Sequence, residues 1–129
     1  MFKQVLIPTL LFMTMLSGTV MAAPPDKHEH SKRWHQEKWC REHGGTIDAV
    51  LQDLTRSDCV TDTHAVALEL AQDWAKALSH ALYYSMQTGK KPGVVLIIED
   101  EKQDLRYWLR LNTTILHFKL SVETWETWD

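Results

Sequence analysis

Histidines, cysteines and a few cations are the residues whose types and spacing could do chemistry in this chain. His28, His30 and His35, with Glu29 among them, make a short imidazole tract able to catch a metal ion, although the commoner role of such a tract is a solvated tail. Cys40 and Cys59 are the two cysteines of 129 residues. Their spacing fits neither CxxC nor a zinc pattern, so in an oxidising compartment they read as one disulfide. Closing a loop of about 20 residues, such a bond contributes roughly 3 kcal/mol by the chain-entropy argument. Arg56, Lys90 and Lys91 stand in predicted turns, where cations can meet phosphates or simply face water. GxSxG, HExxH, Walker and GxGxxG patterns are all absent. Ser57-Asp58 with distant histidines makes no recognisable triad. With both cysteines bonded, no thiol nucleophile remains.

Length and charge bound the classes further. Lys3, the apolar run Val5 to Leu16, and Ser17, Gly18 and Val20-Met21-Ala22 predict a signal peptide over residues 1–22, cut before Ala23. That run is too short for a comfortable membrane span, so no transmembrane segment is expected after cleavage, and the mature chain is expected in the periplasm or outside the cell. The formal charge of -3 becomes -4 when Lys3 is lost. A mildly acidic chain lacks the footprint of a non-specific nucleic-acid coat, and net charge does not exclude a local basic groove. Its remaining length, about 107 residues, suits one domain with a modest core.

The elements that must position these residues follow from breakers and periodicity. Residues 23–30 are expected to form a flexible, polar leader after Pro24-Pro25. A first helix starts near Ser31, carries Trp34, Lys38, Trp39 and Glu42 at helical spacings, and stops at Gly44. Strands follow at Thr46 to Leu51, Asp58 to Thr61 and His64 to Leu70, with turns at Asp53 to Ser57 and at Asp62-Thr63. On the third strand His64, Val66, Leu68 and Leu70 face one side, and Ala65, Ala67 and Glu69 the other. A long helix covers Ala71 to Gln87. Its predicted core stripe is Ala71, Trp74, Ala75, Leu78, Ala81, Leu82 and Ser85; Gln72, Lys76, His80 and Tyr84 share another face. Gly89 and Pro92 end it. Val94 to Ile98 is a strand buried on both faces. A helix from Glu99 to Asn112 and a closing strand from Ile115 to Val122 complete a domain over residues 31–122. Residues 123–129 read as an unstructured tail whose Trp125 and Trp128 could cap an apolar face. The fold class is therefore α/β or α+β: a central mixed sheet flanked by helices, in the order α-β-β-β-α-β and then α-β.

This order, from Trp34 to about Glu99, resembles the core of the PD-(D/E)xK nuclease superfamily, the restriction-endonuclease-like αβββαβ fold. The run DCVTDTHAVALELAQDWAKALSHALYYSMQTGKKPGVVLI is also similar to a small group of exported bacterial proteins of unassigned function. In the superfamily, phosphodiester hydrolysis needs carboxylates converging on one or two divalent metal ions, with a lysine steadying nucleophile or phosphate. Carried over by position, the resemblance implies Asp48 near the early acid, Asp58 as the second-strand acid and Mg²⁺ or Mn²⁺ as cofactor. Ala67 stands where a metal-binding Glu is expected, and Glu69 stands where the Lys is expected. A site shifted by one pleat would use Asp48, Asp58 and Glu69 as metal ligands, with Lys76 as a displaced lysine and His80 beside it. The resemblance thus implies a nuclease with a degenerate or rearranged site. A catalytically inactive module of the cell envelope is the alternative, with nucleic acid or a protein as partner. A structural or inhibitory protein using its six tryptophans as anchors is a third class.

Overall fold

The computed structural model describes residues 18–20 and 29–129; the predicted signal peptide, apart from residues 18–20, and His28 lie outside the described residues. Helix α1, Lys32–Glu42, starts where Ser31 Oγ accepts the Trp34 N–H. Strands β1, Thr46–Ile47, β2, Cys59–Val60, and β3, His64–Leu70, form an antiparallel meander. A 3-10 turn, Ala71–Asp73, leads into α2, Trp74–Thr88, which ends at Gly89 in the left-handed region with φ 70°. Strand β4, Lys91–Ile98, runs parallel to β3; α3, Glu101–His117, returns the chain to β5, Glu123–Trp128, parallel to β4. The result is an α+β domain with one five-stranded mixed sheet in sequence order, β1 to β5, and three helices.

Period-2 burial divides the sheet between two cores. Ala65, Ala67, Val94, Leu96 and Ile98 face α2 and α3, where Ala77, Leu78, Ala81, Tyr84, Leu111 and Ile115 meet them. Val66, Leu68, Val95 and Ile97 face α1 and pack on Trp39 and Cys40. The Cys40–Cys59 disulfide ties α1 to β2 inside this second core, as the two-cysteine argument expects. No helix of the described residues is long and apolar enough to cross a membrane.

Several boundaries depart from the sequence expectation. The first strand breaks after Ile47 because Asp48 adopts φ 52°; pairing resumes as a single bridge between Val50 and Arg56. The buried face of α1 is His35, Gln36, Trp39 and Cys40, while Trp34 is exposed. On α2 the core stripe is rotated: Ala77, Leu78, Ala81 and Tyr84 are buried, and Ala75 and Leu82 face solvent. Residues Ile115 to Val122 form no strand. Leu111 and Ile115 continue the buried stripe of α3, which runs to His117 before Lys119 turns left-handed at φ 51°. The closing strand is instead Glu123–Trp128, the stretch expected to be a tail. Gly93 explains its docking: the Trp125 ring lies on the bare glycine, where even a Cβ would sit 2.8 Å from a ring carbon.

Candidate active site

β3, β4 and β5 are parallel, so their carboxyl ends gather at one end of the sheet, where open α/β sheets commonly place their sites. Glu69, one residue before the end of β3, shares the face of Ala65 and Ala67 but lies beyond the apolar core. It is only 3% exposed. Two ammonium groups hold it there: Lys32 Nζ, from the first residue of α1, lies 2.9 Å from Oε1, and Lys76 Nζ, from the first turn of α2, lies 3.5 Å from the same oxygen. A buried carboxylate needs such partners, because an unpaired one would pay the full cost of desolvation.

Asp58 stands next to this cluster. β2 has left the ladder by this point, and the Asp58 carboxylate takes over from its backbone: Oδ2 accepts the Leu68 N–H at 2.8 Å. Burial pushes the Asp58 carboxyl above the usual range. The Leu68 hydrogen bond and the charges of Lys32 and His80 oppose that shift, and the charge of Glu69 adds to it. Tyr84 lies close enough that burial first, and then Asp58 and Glu69, hold its phenol well above the ordinary value. Asp58, Glu69, Lys76 and His80 are thus brought into one electrostatic neighbourhood, joined by Lys32. Nothing in the sequence spacing marks Lys32, since it reaches Glu69 only because α1 begins at this end of the sheet.

The other expected residues stand apart. Asp48 faces α1: Arg33 Nη1 lies 2.7 Å from Oδ2, and Gln36 Nε2 donates to Oδ1 at 3.1 Å. Arg33 holds this carboxyl below its usual range. Gln36 also donates to the Asp58 carbonyl at 2.9 Å, so this buried amide pins α1 to the irregular hairpin. Arg56 neighbours the Asp48 carbonyl. Lys90 donates to the Thr61 carbonyl, and Lys91 pairs in register with His64, at the opposite end of β3 from Glu69. His64 lies across the sheet from Glu69, against the Trp125 ring, with Nε2 2.7 Å from Glu123. Among the described residues, the three-ligand group close enough to hold a metal ion is His30, His35 and Asp129, not Asp48, Asp58 and Glu69.

Asp58 carries one clear structural consequence. Asp58→Ala leaves the enclosed Leu68 N–H without its acceptor and is expected to cost about 1–3 kcal/mol. Asp58→Asn keeps an acceptor oxygen and sheds a buried charge, so it is expected to stay within about 1 kcal/mol of the parent. Urea unfolding of both variants checks this; equal losses would show that the Leu68 bond contributes nothing.

Comparison with family models, curated proteins and solved structures gave no match.

Proposed function

We propose that this is an exported protein on a restriction-endonuclease-like core, with a rearranged, metal-dependent phosphodiesterase site at the carboxyl end of β3. The observation that carries the reading is the buried Glu69 carboxylate beside Asp58, with Lys76 on the neighbouring helix. The element order α-β-β-β-α-β and the antiparallel-then-parallel sheet accord with it.

The donor set suits a hard cation. Mg²⁺ commonly binds through one or two carboxylates and completes its shell with water and substrate phosphate, so Asp58 and Glu69 would be the protein ligands for Mg²⁺ or Mn²⁺. Bound there, the ion would supply an activated water and neutralise charge on the phosphate. Lys32 keeps the Glu69 carboxylate oriented through its 2.9 Å contact. Lys76, whose side chain is 55% exposed, is free to swing from Glu69 to a phosphate oxygen. His80, one turn further along α2, adds a polar group on the same side.

A cleavage assay on the oxidised chain from Ala23 onward tests this, offering single- and double-stranded DNA and RNA with Mg²⁺ or Mn²⁺. Metal-dependent cutting is expected, with a loss of at least about 100-fold in both Asp58→Asn and Glu69→Gln. An intact fold with no cutting, and no Mg²⁺ or Mn²⁺ stabilisation, would sink the reading. A binding module of the cell envelope would then stand in its place. That second reading has its own support: Ala67, at the position of the expected acid, is completely enclosed by the α2 and α3 core.

A further inference from the structure

A second cluster at the same end of the sheet is built from different chemistry. Asp129 follows β5 directly, and its N–H bonds the Ile98 carbonyl at 3.1 Å, which fixes it beside the end of β4. Its side chain is only 4% exposed. Oδ2 accepts the backbone N–H groups of Glu29 and His30 at 2.8 and 3.2 Å. Oδ1 lies 2.7 Å from His30 Nδ1 and 3.3 Å from His35 Nε2. One ligand atom from each of the three side chains lies within 4.8 Å of the other two.

His35 is the unexpected member. It is 1% exposed, inside the first turns of α1; Nε2 meets only Asp129 Oδ1, at 3.3 Å, and Nδ1 makes no hydrogen bond. Buried polar atoms of this kind are nearly always satisfied, and a long contact to one carboxylate oxygen leaves a buried imidazole able to take a closer partner at Nε2. The His30 ring is held on the other side by stacking on Trp34 at 3.7 Å and by an edge contact with His35. Zinc bonds to nitrogen and oxygen of about 2.0–2.1 Å in a tetrahedron place neighbouring ligand atoms roughly 3.3 Å apart. The His35–Asp129 separation of 3.3 Å already has that value, the His30–Asp129 contact of 2.7 Å needs to open by about 0.6 Å, and the two imidazole nitrogens, within 4.8 Å, complete the group by a small ring adjustment. The two N–H donors on Oδ2 orient the carboxylate so that Oδ1 faces the imidazoles, the supporting role that outer hydrogen bonds play around metal ligands.

We propose that His30, His35 and Asp129 form a binding site for a zinc-class divalent cation. Two imidazoles and one carboxylate favour Zn²⁺, Cu²⁺ or Ni²⁺ over Mg²⁺ or Ca²⁺, which prefer all-oxygen shells. Three protein ligands leave a fourth position, and the half-exposed His30 side chain opens it to solvent. The ion joins the segment before α1, the first turns of α1 and the end of β5, closing the domain where its first and last described elements meet. The site is separate from the Asp58–Glu69 centre and does not depend on its activity.

Thermal unfolding of the metal-stripped, oxidised chain, with Zn²⁺ or Mg²⁺ added, tests the proposal. Zn²⁺ is expected to raise the midpoint by about 10 °C at free metal 100-fold above Kd, reversibly with a chelator, and Mg²⁺ to leave this site untouched. The zinc shift should vanish in His30→Ala and Asp129→Asn and persist in Asp58→Asn. Co²⁺ should give the intense visible absorption of a four-coordinate ion in the parent chain, displaced by one equivalent of Zn²⁺; this readout needs no variant to fold. Absence of both signals in the parent chain would overturn the site. So would a zinc shift that survives unchanged in folded His30→Ala and Asp129→Asn.

Discussion

A chain ended after Val122 is expected to lose cooperative unfolding at room temperature, although the stretch removed reads from sequence as a tail. β5 pairs with β4 along Gly93 to Ile98, so its loss turns a fully buried strand into an open edge. It also removes Trp125, which fills the slot over Gly93 and packs against Trp39 at a ring separation of 5.3 Å. Truncating a fully buried aromatic typically costs about 3–5 kcal/mol, and the partly buried Trp125 should fall at or below the lower end of that range. The unpaired β4 ladder adds to that, against a total stability of about 5–15 kcal/mol for a domain of ordinary size. Circular dichroism melts of the two chains give the measurement. A truncated chain that still melts sharply, within a few degrees of the parent, would mean that β4 tolerates an open edge and that β5 contributes little.

Removal of the Cys40–Cys59 bond is the second large effect. Both cysteines are at most 1% exposed, and the bond joins α1 to β2 across a sequence separation of 19. A loop of that length corresponds to about 3 kcal/mol of unfolded-state entropy, or roughly 12–24 °C in the midpoint of a domain near 100 residues. Gly45 shows how closely the chain is built around the sulfurs: a Cβ at this position would collide with both Sγ atoms. A Cys40→Ala, Cys59→Ala double variant should therefore melt well below the oxidised parent and resemble the reduced parent. A double variant melting within about 2 °C of the oxidised chain would show that the helix-to-sheet packing of Trp39, Val66 and Leu68 is sufficient alone. The same bond bears on the candidate site. Lys32 reaches Glu69 from the start of α1, and α1 is the helix the disulfide anchors.

Particular residues show which features were legible and which were not. β3 was legible to the residue, because HAVALEL carries clear alternation between Asp62-Thr63 and the helix that follows. The helix stop at Gly89 was legible because only a residue at ease with positive φ ends a helix in that way. α3 was cut short because Asn112-Thr113-Thr114 are weak helix formers by propensity. Packing of Leu111 and Ile115 against the sheet overrides that preference, and the Thr113 and Thr114 hydroxyls bond back to the Leu109 and Arg110 carbonyls. The rotation of α2 escaped the sequence because alanines bordered both candidate stripes. Tyr84 turns inward where its ring fills the core beside Ala81.

By itself, then, the sequence determined the mixed α and β character, the order of elements through β4, the faces of β3 and the pairing of its two cysteines. Each of these rests on local periodicity, on breakers with their own φ preference, or on a pair with no other choice. Tertiary structure decided what long-range paths bring together: β5 beside β4, Lys32 beside Glu69, and Asp129 between His30 and His35, nearly 100 residues away in the chain. Local pattern says which side of an element is buried. Which residue waits there depends on where the whole chain runs.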